Sequence, residues 1–473
     1  MIRGKLGAAL LLVIGAAAGA PAIAETLSDA LVKAYVNNPS LTSARAALRV
    51  ADEAVVQQEA AGLGTINGTT SVGLSSSGGL SASQGGGGGG RVNSDPVTLG
   101  VQGALPIYQS GRVRYGIRGA EENVRASRAA LVGSEQSILL AAVTAYEDVR
   151  RDISFVSLAR NNVRVIGEQV RAARDRFEVG EVTRTDVSQA EARLAASRAS
   201  LASAVGALAR SRQAYMAAVG ELPEGLETPP PLPPLPASEQ SAVDLALAEH
   251  PQMTQARFTA RSAEYAVKRT VTLGLPTVEL RGALSYTNSG VTQTGGETNS
   301  ASVTLNATVP LWTGGSVPSQ VRQAQATLAQ RTSQVHEVAR TIRQQTSVAW
   351  SAMEVARSSI RASDQQIRAA QIAFDGVREE ATLGARTTLD VLDAEAELLN
   401  ARVGLVSSKR DEYVAAYTLL AAVGKLTVVH LGLNVPGYDP ESYMQGVRQV
   451  PYAWAEDESV APEGEWSLFD AKP

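Results

Sequence analysis

Residues 99–124, LGVQGALPIYQSGRVRYGIRGAEENV, change from one periodic pattern to another within a few positions. Before Gly111, apolar residues alternate with small or polar ones, which is the two-residue period of a β-strand. Beyond Gly111, apolar residues recur every seven positions, and a sustained seven-residue period predicts a left-handed coiled coil. The recurring residues are Ile117, Val124, Leu131, Ile138 and Ala145. The stretch therefore predicts a strand that leads directly into a long helix.

The same pattern returns at residues 303–328, at a constant offset of 303 − 99 = 204. Matching pairs at this offset are Tyr108 with Trp312, Gly180 with Gly384, and Asp186 with Asp390. Nearer the N-terminus, Pro39 matches Pro251 at a different offset, 251 − 39 = 212. The difference of 8 falls between residues 55 and 105, where the glycine run Gly85–Gly90 predicts a longer exposed loop. The chain is therefore predicted to be an internal duplication.

The duplication divides the chain into five predicted regions. They are a signal peptide (1–24), a first repeat (25–220), a Pro-rich linker (221–240), a second repeat (241–424) and a C-terminal extension (425–473) that is partly mobile. Each repeat is predicted to hold a β-hairpin, at about 64–107 and about 277–311, and a helical tip, at about 179–186 and about 383–390.

Each repeat is also predicted to contain one long helix and two shorter ones. The helical pattern of residues 112–178 continues for 67 residues without a proline, which is roughly 100 Å at 1.5 Å per residue. The shorter helices, 28–60 and 185–219, have 33 and 35 residues, so together they match the long one. We therefore expect them to stack end to end along it, and 241–272 and 389–422 to do the same in the second repeat.

The N-terminal residues have the features of an export signal. Arg3 and Lys5 precede an apolar run from Leu6 to Ala18, and Ala22-Ile23-Ala24 forms a small-x-small cleavage site. No later stretch is expected to provide the roughly 20 apolar residues of a membrane-spanning helix. Any insertion into a membrane is therefore predicted to use β-strands.

The composition argues against several functional classes. The chain has no cysteine, a net charge of −4 and three widely separated histidines. We therefore predict no disulfide, no lipidated cysteine, no metal or other cofactor, and no nucleic-acid partner. A hydrolase or another enzyme would need a convergent set of nucleophile, base or metal ligands, and the sequence has no motif of this kind.

The alternating segments match transmembrane β-strands of about 10 residues. Tyr108 and Trp312 follow strand ends, where an aromatic girdle would meet the membrane surface. The alternative is a soluble hairpin, which four strands of this kind would not bury on both faces. Because four strands are too few for a closed barrel, the chain must oligomerise. The residues leave open whether two, three or four copies close the ring.

Three motifs resemble the TolC family of outer membrane channels. Residues 383–394, LGARTTLDVLDA, resemble the second periplasmic tip of that family, and 179–187, VGEVTRTDV, resemble the first. Residues 431–440, LGLNVPGYDP, resemble a C-terminal motif of its type I secretion branch. The similarity extends from Leu27 to about Val447.

The resemblance implies an α+β membrane protein of the outer membrane that extends into the periplasm. In that fold a homotrimer forms a 12-stranded β-barrel, with four strands from each protomer, continuous with a long α-helical coiled-coil tunnel. It implies an exit duct of a tripartite efflux or type I secretion system. The implied partners are outer membrane lipid, a periplasmic adaptor and an inner-membrane transporter of the ABC or RND type. A periplasmic adaptor is the alternative, and solubility without detergent would favour it.

The same resemblance assigns a gate to the second tip. Asp390 and Asp393 lie on one side of a helix start, and three copies would surround a constriction with carboxylates that raise one another's pKa. Asp390 and Asp186 also fit capping boxes with the threonines three residues before them. Arg386 is either a solvated arginine or a latch whose acceptors would be around Thr185 and Asp186. The tyrosine of the family's latch is replaced by Ala381.

Overall fold

The computed structural model describes residues 25–78, 91–288, 296–435 and 437–449. The predicted signal peptide, the glycine run Gly85–Gly90 and the acidic tail beyond residue 450 lie outside the described residues. In chain order the elements are α1 (Leu27–Asn37), α2 (Pro39–Ala60), β1 (Thr65–Val72), β2 (Ser75–Gly78), β3 (Arg91–Ser94), β4 (Val97–Tyr108), α3 (Arg112–Glu178), α4 (Arg184–Val219), α5 (Glu239–Glu249), α6 (Pro251–Val271), β5 (Thr277–Asn288), β6 (Glu297–Thr308), α7 (Ser316–Thr382), α8 (Thr388–Val423) and α9 (Ser442–Gln449).

The two long helices, α3 and α7, each contain 67 residues, which confirms the length predicted from the seven-residue pattern. Each begins immediately after a glycine with a left-handed backbone, Gly111 at φ 84° and Gly315 at φ 82°. Residues other than glycine rarely adopt this conformation, so the two glycines set the point where strand gives way to helix.

The prediction of one helix over 28–60 is wrong, because the structure contains two helices there, α1 and α2. The same break separates α5 from α6 in the second repeat. Asn38 and His250 are extended at ψ 119° and 131°, because the proline that follows each of them disfavours the helical conformation. Each side chain then caps the next helix: Ser40 N donates to Asn38 Oδ1 at 2.9 Å, and Gln252 N donates to His250 Nδ1 at 3.2 Å.

Four strands form an antiparallel sheet in the order β1-β4-β5-β6, and its register separates two faces. One face carries apolar rows, such as Ile66, Gly103, Gly282 and Val303, or Leu105, Leu280 and Leu305. The other face carries polar rows, such as Asn67, Gln102, Ala283 and Ser302, or Thr69, Gly100, Ser285 and Ser300. The sheet therefore has one side suited to lipid and one suited to water.

The second hairpin ends earlier than predicted. β6 stops at Thr308, although the alternating pattern continues to Leu311, which is 91% exposed. In the first repeat the matching segment of β4 pairs with β5 through a bulge between Pro106 and Tyr108. The first residue of β5, Thr277, already pairs with Thr308, so no residue of β5 lies opposite residues 309–311.

The helices form a layered bundle around α3. Toward the sheet the neighbours run α2, α3, α6, α7, and toward the tips they run α7, α8, α3, α4. The shorter helices thus continue one another along the long ones, as the helix lengths predicted. The largest apolar cluster lies between the sheet-side and the tip-side levels of the bundle, where Leu139, Tyr146 and Tyr215 are fully buried.

One window of α3 passes a length and composition test for a membrane-spanning helix, which the sequence was not expected to contain. The window is 18 residues long, and 44% of it is buried inside the chain. The helix packs against α2, α4, α6 and α8, so its apolar residues are those of a bundle core.

The Pro-rich linker runs along the helices without a helix or strand of its own over residues 229–236. Tyr146 Oη donates to the carbonyl oxygens of Glu25 and Glu227, at 3.0 and 2.9 Å, and Tyr413 Oη donates to that of Pro230. These tyrosines attach the start of the linker and the first described residue to α3 and α8.

Substitution of Gly424 tests the packing where the end of α8 meets the break between α5 and α6. Its φ is 85°, and a Cβ there would lie 2.9 Å from His250 Cα, at the break between α5 and α6. We expect Gly424→Ala to lower the free energy of unfolding by about 2–4 kcal/mol, from backbone strain plus overpacking. Thermal denaturation of the detergent-solubilised protein measures the loss.

Gly220 is the matched control, since it also has a left-handed backbone at φ 100° but its Cβ would lie 3.5 Å from Asn37 Cβ. Gly220→Ala is expected to lower the free energy of unfolding by about 1–2 kcal/mol, from backbone strain alone. Equal losses in the two variants would show that the contact with His250 does not constrain the fold.

Candidate functional site

The far end of the bundle consists of two helical tips with the same backbone design. In the first, Gly180 N donates to Phe177 O and Glu181 N to Arg176 O, at 3.1 and 2.9 Å. In the second, Gly384 N donates to Ala381 O and Ala385 N to Glu380 O, at 3.2 and 2.9 Å. This pairing is a Schellman motif, and both glycines have the left-handed backbone that it requires, at φ 81° and 78°.

The next helix of each tip starts with a capping box. Asp186 Oδ2 accepts from Thr183 N at 2.8 Å, and Asp390 Oδ2 accepts from Thr387 N at 2.9 Å. These backbone hydrogen bonds, followed by those from the threonine hydroxyls, lower the pKa of both aspartates. The capping interpretation of Asp186 and Asp390 is therefore confirmed. Within one chain the pKa of Asp390 is lowered, whereas crowding of carboxylates in a ring was expected to raise it.

Asp393 has a partner that the sequence did not indicate. Arg193 Nη2, on α4 of the first tip, donates to Asp393 Oδ1 at 2.7 Å. Both side chains are about half exposed, and the pair joins the two tips of one protomer. Two residues 200 positions apart carry no local pattern that would have revealed this contact.

Arg386 makes its ion pair inside its own tip, where Nε donates to Glu380 Oε2 at 2.8 Å. The acceptors expected around Thr185 and Asp186 are not its partners in the described single chain: Thr185 is an exposed residue in the first turn of α4, and Asp186 caps that helix. Ala381, at the position of the family's tyrosine, is buried between α7 and α8 with Phe374 and Val391.

Glu395 is a buried carboxyl that sequence reasoning missed. It is 8% exposed, and its Oε2 has no hydrogen-bond partner among the described residues. Burial raises its pKa from 4.5 to about 7, while the positive charges of Arg164 and Arg402 lower it and Glu168 raises it further. The two arginines already bond to Glu168 and Gln371, at 2.8 and 2.9 Å. Its first-repeat counterpart, Glu191, is exposed and paired with Arg174.

The sheet end of the chain holds the predicted aromatic residues. Tyr108 is the last residue of β4 and is 55% exposed, and Trp312 lies four residues after β6 and is 87% exposed. Both lie where the sheet meets the long helices. On the polar face, Arg281 Nη2 bonds to Glu279 Oε2 at 3.0 Å, which places compensating charges on that side.

No group of three or more His, Asp or Glu side chains in the described ranges could hold a metal ion. The fold and the surfaces together define a channel protomer: a sheet with one lipid-compatible face is continuous with a long helical bundle that ends in two polar tips.

Comparison with known proteins identifies the family. The family model described as "Outer membrane efflux protein" matches residues 30–221 and 242–425. The starts of the matches differ by 242 − 30 = 212 and the ends by 425 − 221 = 204, the two offsets read from the sequence. The chain belongs to this family of channel and transport proteins.

Two relatives and one solved structure describe the similarity. The outer membrane efflux protein BepC of Brucella suis is 38% identical over 94% of this chain and 95% of that protein. The outer membrane protein TolC of Vibrio cholerae is 25% identical over 87% and 94%. The CmeC outer membrane channel of Campylobacter jejuni has a TM-score of 0.75 and 17% identity, with 89% of each chain covered. This protein is an outer membrane exit duct for efflux or type I secretion, and it extends into the periplasm.

Proposed function

We propose that three copies of this chain close into one duct that is gated at the helical tips. The observation that carries the proposal is the pair of open edges, because β1 and β6 each have a single strand partner in the described chain. Open edges in lipid leave backbone groups without hydrogen bonds. Three copies of the four-stranded sheet give twelve strands, and the ring closes when β6 of one copy pairs with β1 of the next.

The helices have matching lateral sides. α7 forms one border of the bundle at both levels, and α2 and α4 form the other. Apolar side chains are exposed along α7 at Val348, Val355 and Ile372, and along the opposite border at Val50 and Val205. Packing α7 against α2 and α4 of the next copy would bury these residues in a head-to-tail ring.

The tips are proposed to form the narrow end of the duct. Three copies would bring Asp390 and Asp393 around one axis, where their charge favours cations over anions. A periplasmic adaptor and an inner-membrane ABC or RND transporter are the proposed partners that open it. Tyr108 and Trp312 are proposed to lie at the membrane surface at the other end.

Efflux and secretion are separated by a genetic test. We favour efflux, because the relative BepC is named an efflux protein. Secretion is the second candidate, because residues 431–440 resemble the secretion branch of the family. Deletion of the gene should increase drug and dye accumulation, and complementation with the parent chain should reverse it. Loss of secreted proteins with unchanged drug sensitivity would favour secretion instead.

The adaptor alternative receives less support from the structure. Adaptors do not span the outer membrane, whereas the apolar face here exposes Ile66 at 82%, Leu284 at 60% and Val303 at 77%. A large exposed apolar surface calls for lipid or a partner. Recovery of the folded mature protein from membranes by salt or urea, without detergent, would contradict the lipid-facing role of this surface.

Arg386→Ser is expected to widen the resting pore if Arg386 holds the tips closed. Single-channel conductance in a planar bilayer should rise about two-fold or more, since removal of a charge-assisted hydrogen bond weakens the closed state. Glu380→Gln is the control, because Glu380 is the observed partner within the same tip. A rise in Arg386→Ser alone indicates a latch to a neighbouring tip, and unchanged conductance in Arg386→Ser contradicts any latch role.

A further inference from the structure

The two acidic residues at the second tip are in different electrostatic situations. Asp390 bonds to neutral groups of Thr387. The positive charge of Arg386 also attracts it, but Arg386 forms its ion pair with Glu380, so the charge of Asp390 has no bonded cation. Asp393 is bonded at 2.7 Å to the guanidinium of Arg193, so its charge is compensated by the same chain. The two carboxylates therefore contribute unequally to the field at the tip.

The compensation is specific to one position of the duplicated fold. At the offset of 204, Asp393 corresponds to Gln189, and Arg193 corresponds to Glu397. Glu397 instead accepts a hydrogen bond from Gln366 at 3.2 Å within the second hairpin. The ion pair therefore joins α4 of the first repeat to α8 of the second repeat.

Packing next to the pair holds the two residues together. Leu392, the neighbour of Asp393, is 5% exposed and inserts into the core of the first hairpin with Val170, Ala173 and Ala190. This contact brings the start of α8 against α4, where Arg193 is located. The geometry of the pair is consequently tied to the way the two hairpins pack against each other in one protomer.

We propose that Arg193 sets the ion preference of the tip by neutralising Asp393 of its own chain. The fixed negative charge of the resting constriction then comes from Asp390. When α8 moves away from α4, the pair separates and Asp393 adds its charge to the ring, so the open tip is more strongly cation-selective than the resting one. This inference rests on the proposed function, since it requires the tips to form the constriction.

The test measures the ratio of potassium to chloride permeability from the reversal potential of the purified full-length mature protein in a planar bilayer under a KCl gradient. Arg193→Gln should raise this ratio about three-fold or more, because it leaves Asp393 uncompensated. Asp393→Asn should lower the ratio below the parental value, because it leaves the arginine uncompensated. The double variant Arg193→Gln with Asp393→Asn should return close to the parent.

The double variant separates charge from mechanical opening. It restores the net charge but still lacks the ion pair, so a ratio that stays as high as in Arg193→Gln would overturn the inference. Arg174→Gln is the matched control, because Arg174 pairs with Glu191 inside the first hairpin of the same region and should leave the ratio unchanged.

Asp390→Asn distinguishes failure of this inference from failure of the proposed gate. If Asp390→Asn lowers the permeability ratio while Arg193→Gln leaves it unchanged, the role of Arg193 is contradicted and the gate stands. If neither substitution changes the ratio in inserted, folded protein, the tips are not the constriction and both proposals fail.

Discussion

Val303→Arg is expected to prevent the chain from assembling in the outer membrane. Val303 lies in the middle of β6, is 77% exposed, and belongs to the apolar row with Ile66, Gly103 and Gly282. An arginine on the lipid face near the centre of the bilayer destabilises the inserted protein by about 2–4 kcal/mol per chain. This destabilisation applies to each of the three chains in the proposed ring. The readout is the amount of protein in the outer membrane fraction as a detergent-resistant oligomer.

Ser302→Arg is the matched control because Ser302 is the adjacent residue of the same strand. Its row, with Asn67, Gln102 and Ala283, lies on the polar face. A charge there faces water in the proposed duct and should leave assembly near the parental level. Equal loss in both variants would contradict the assignment of the two faces, and assembly of Val303→Arg would contradict the lipid-facing role of the apolar one.

Glu395→Gln is expected to stabilise the protein at pH 8 and to have little effect near pH 4.5. The pKa of Glu395 is raised from 4.5 to about 7 by burial, so the folded chain holds a proton that the unfolded chain has released. The contribution of Glu395 to stability is therefore fully present below the unfolded pKa and is lost as the pH rises from about 4.5 to about 7. The neutral glutamine removes this cost, about 3 kcal/mol at pH 8.

The measurement is the thermal midpoint of variant and parent at the two pH values. Asp52, another carboxyl whose pKa burial raises, titrates in both proteins, so comparison at each pH cancels its contribution. Glu191→Gln is the control at the equivalent position of the first repeat, where an exposed ion pair contributes about 0–1 kcal/mol. The same gain for Glu395→Gln at both pH values, or no gain at pH 8, would contradict the burial of an ionised carboxylate.

The elements of this fold were predictable from the sequence because each depends on a local period. The seven-residue pattern located α3 and α7, and the two-residue pattern located the strands near Leu99 and Val303. Because the chain is duplicated, each of these helices and strands has a counterpart in the other repeat that supports the same prediction. The helix breaks at Asn38 and His250 were missed, although Pro39 and Pro251 stand beside them, because the apolar pattern continues across both breaks.

The site was less predictable because its contacts join distant parts of the chain. Thr387 and Asp390 are close in sequence, so their capping box could be predicted. The pair of Arg193 with Asp393 and the burial of Glu395 depend on how α8 packs against α4 and α3. Glu395 and Glu191 are the same residue type at equivalent positions, and only the position of α8 between α7 and α3 makes one of them buried.

Closure of three chains through the β1 and β6 edges can be measured by cross-linking, because the chain has no cysteine of its own. One cysteine replaces Asn67 on β1, and a second replaces Ser300, Ser302 or Thr304 on β6 in separate variants. Within one chain Asn67 and Ser302 are three strand spacings apart, about 14 Å, so a shorter bifunctional maleimide joins different chains. We expect membrane-inserted protein to give a ladder that ends at three chains. A ladder that ends at two or four, continues past three, or fails to form at every position would contradict the three-copy duct.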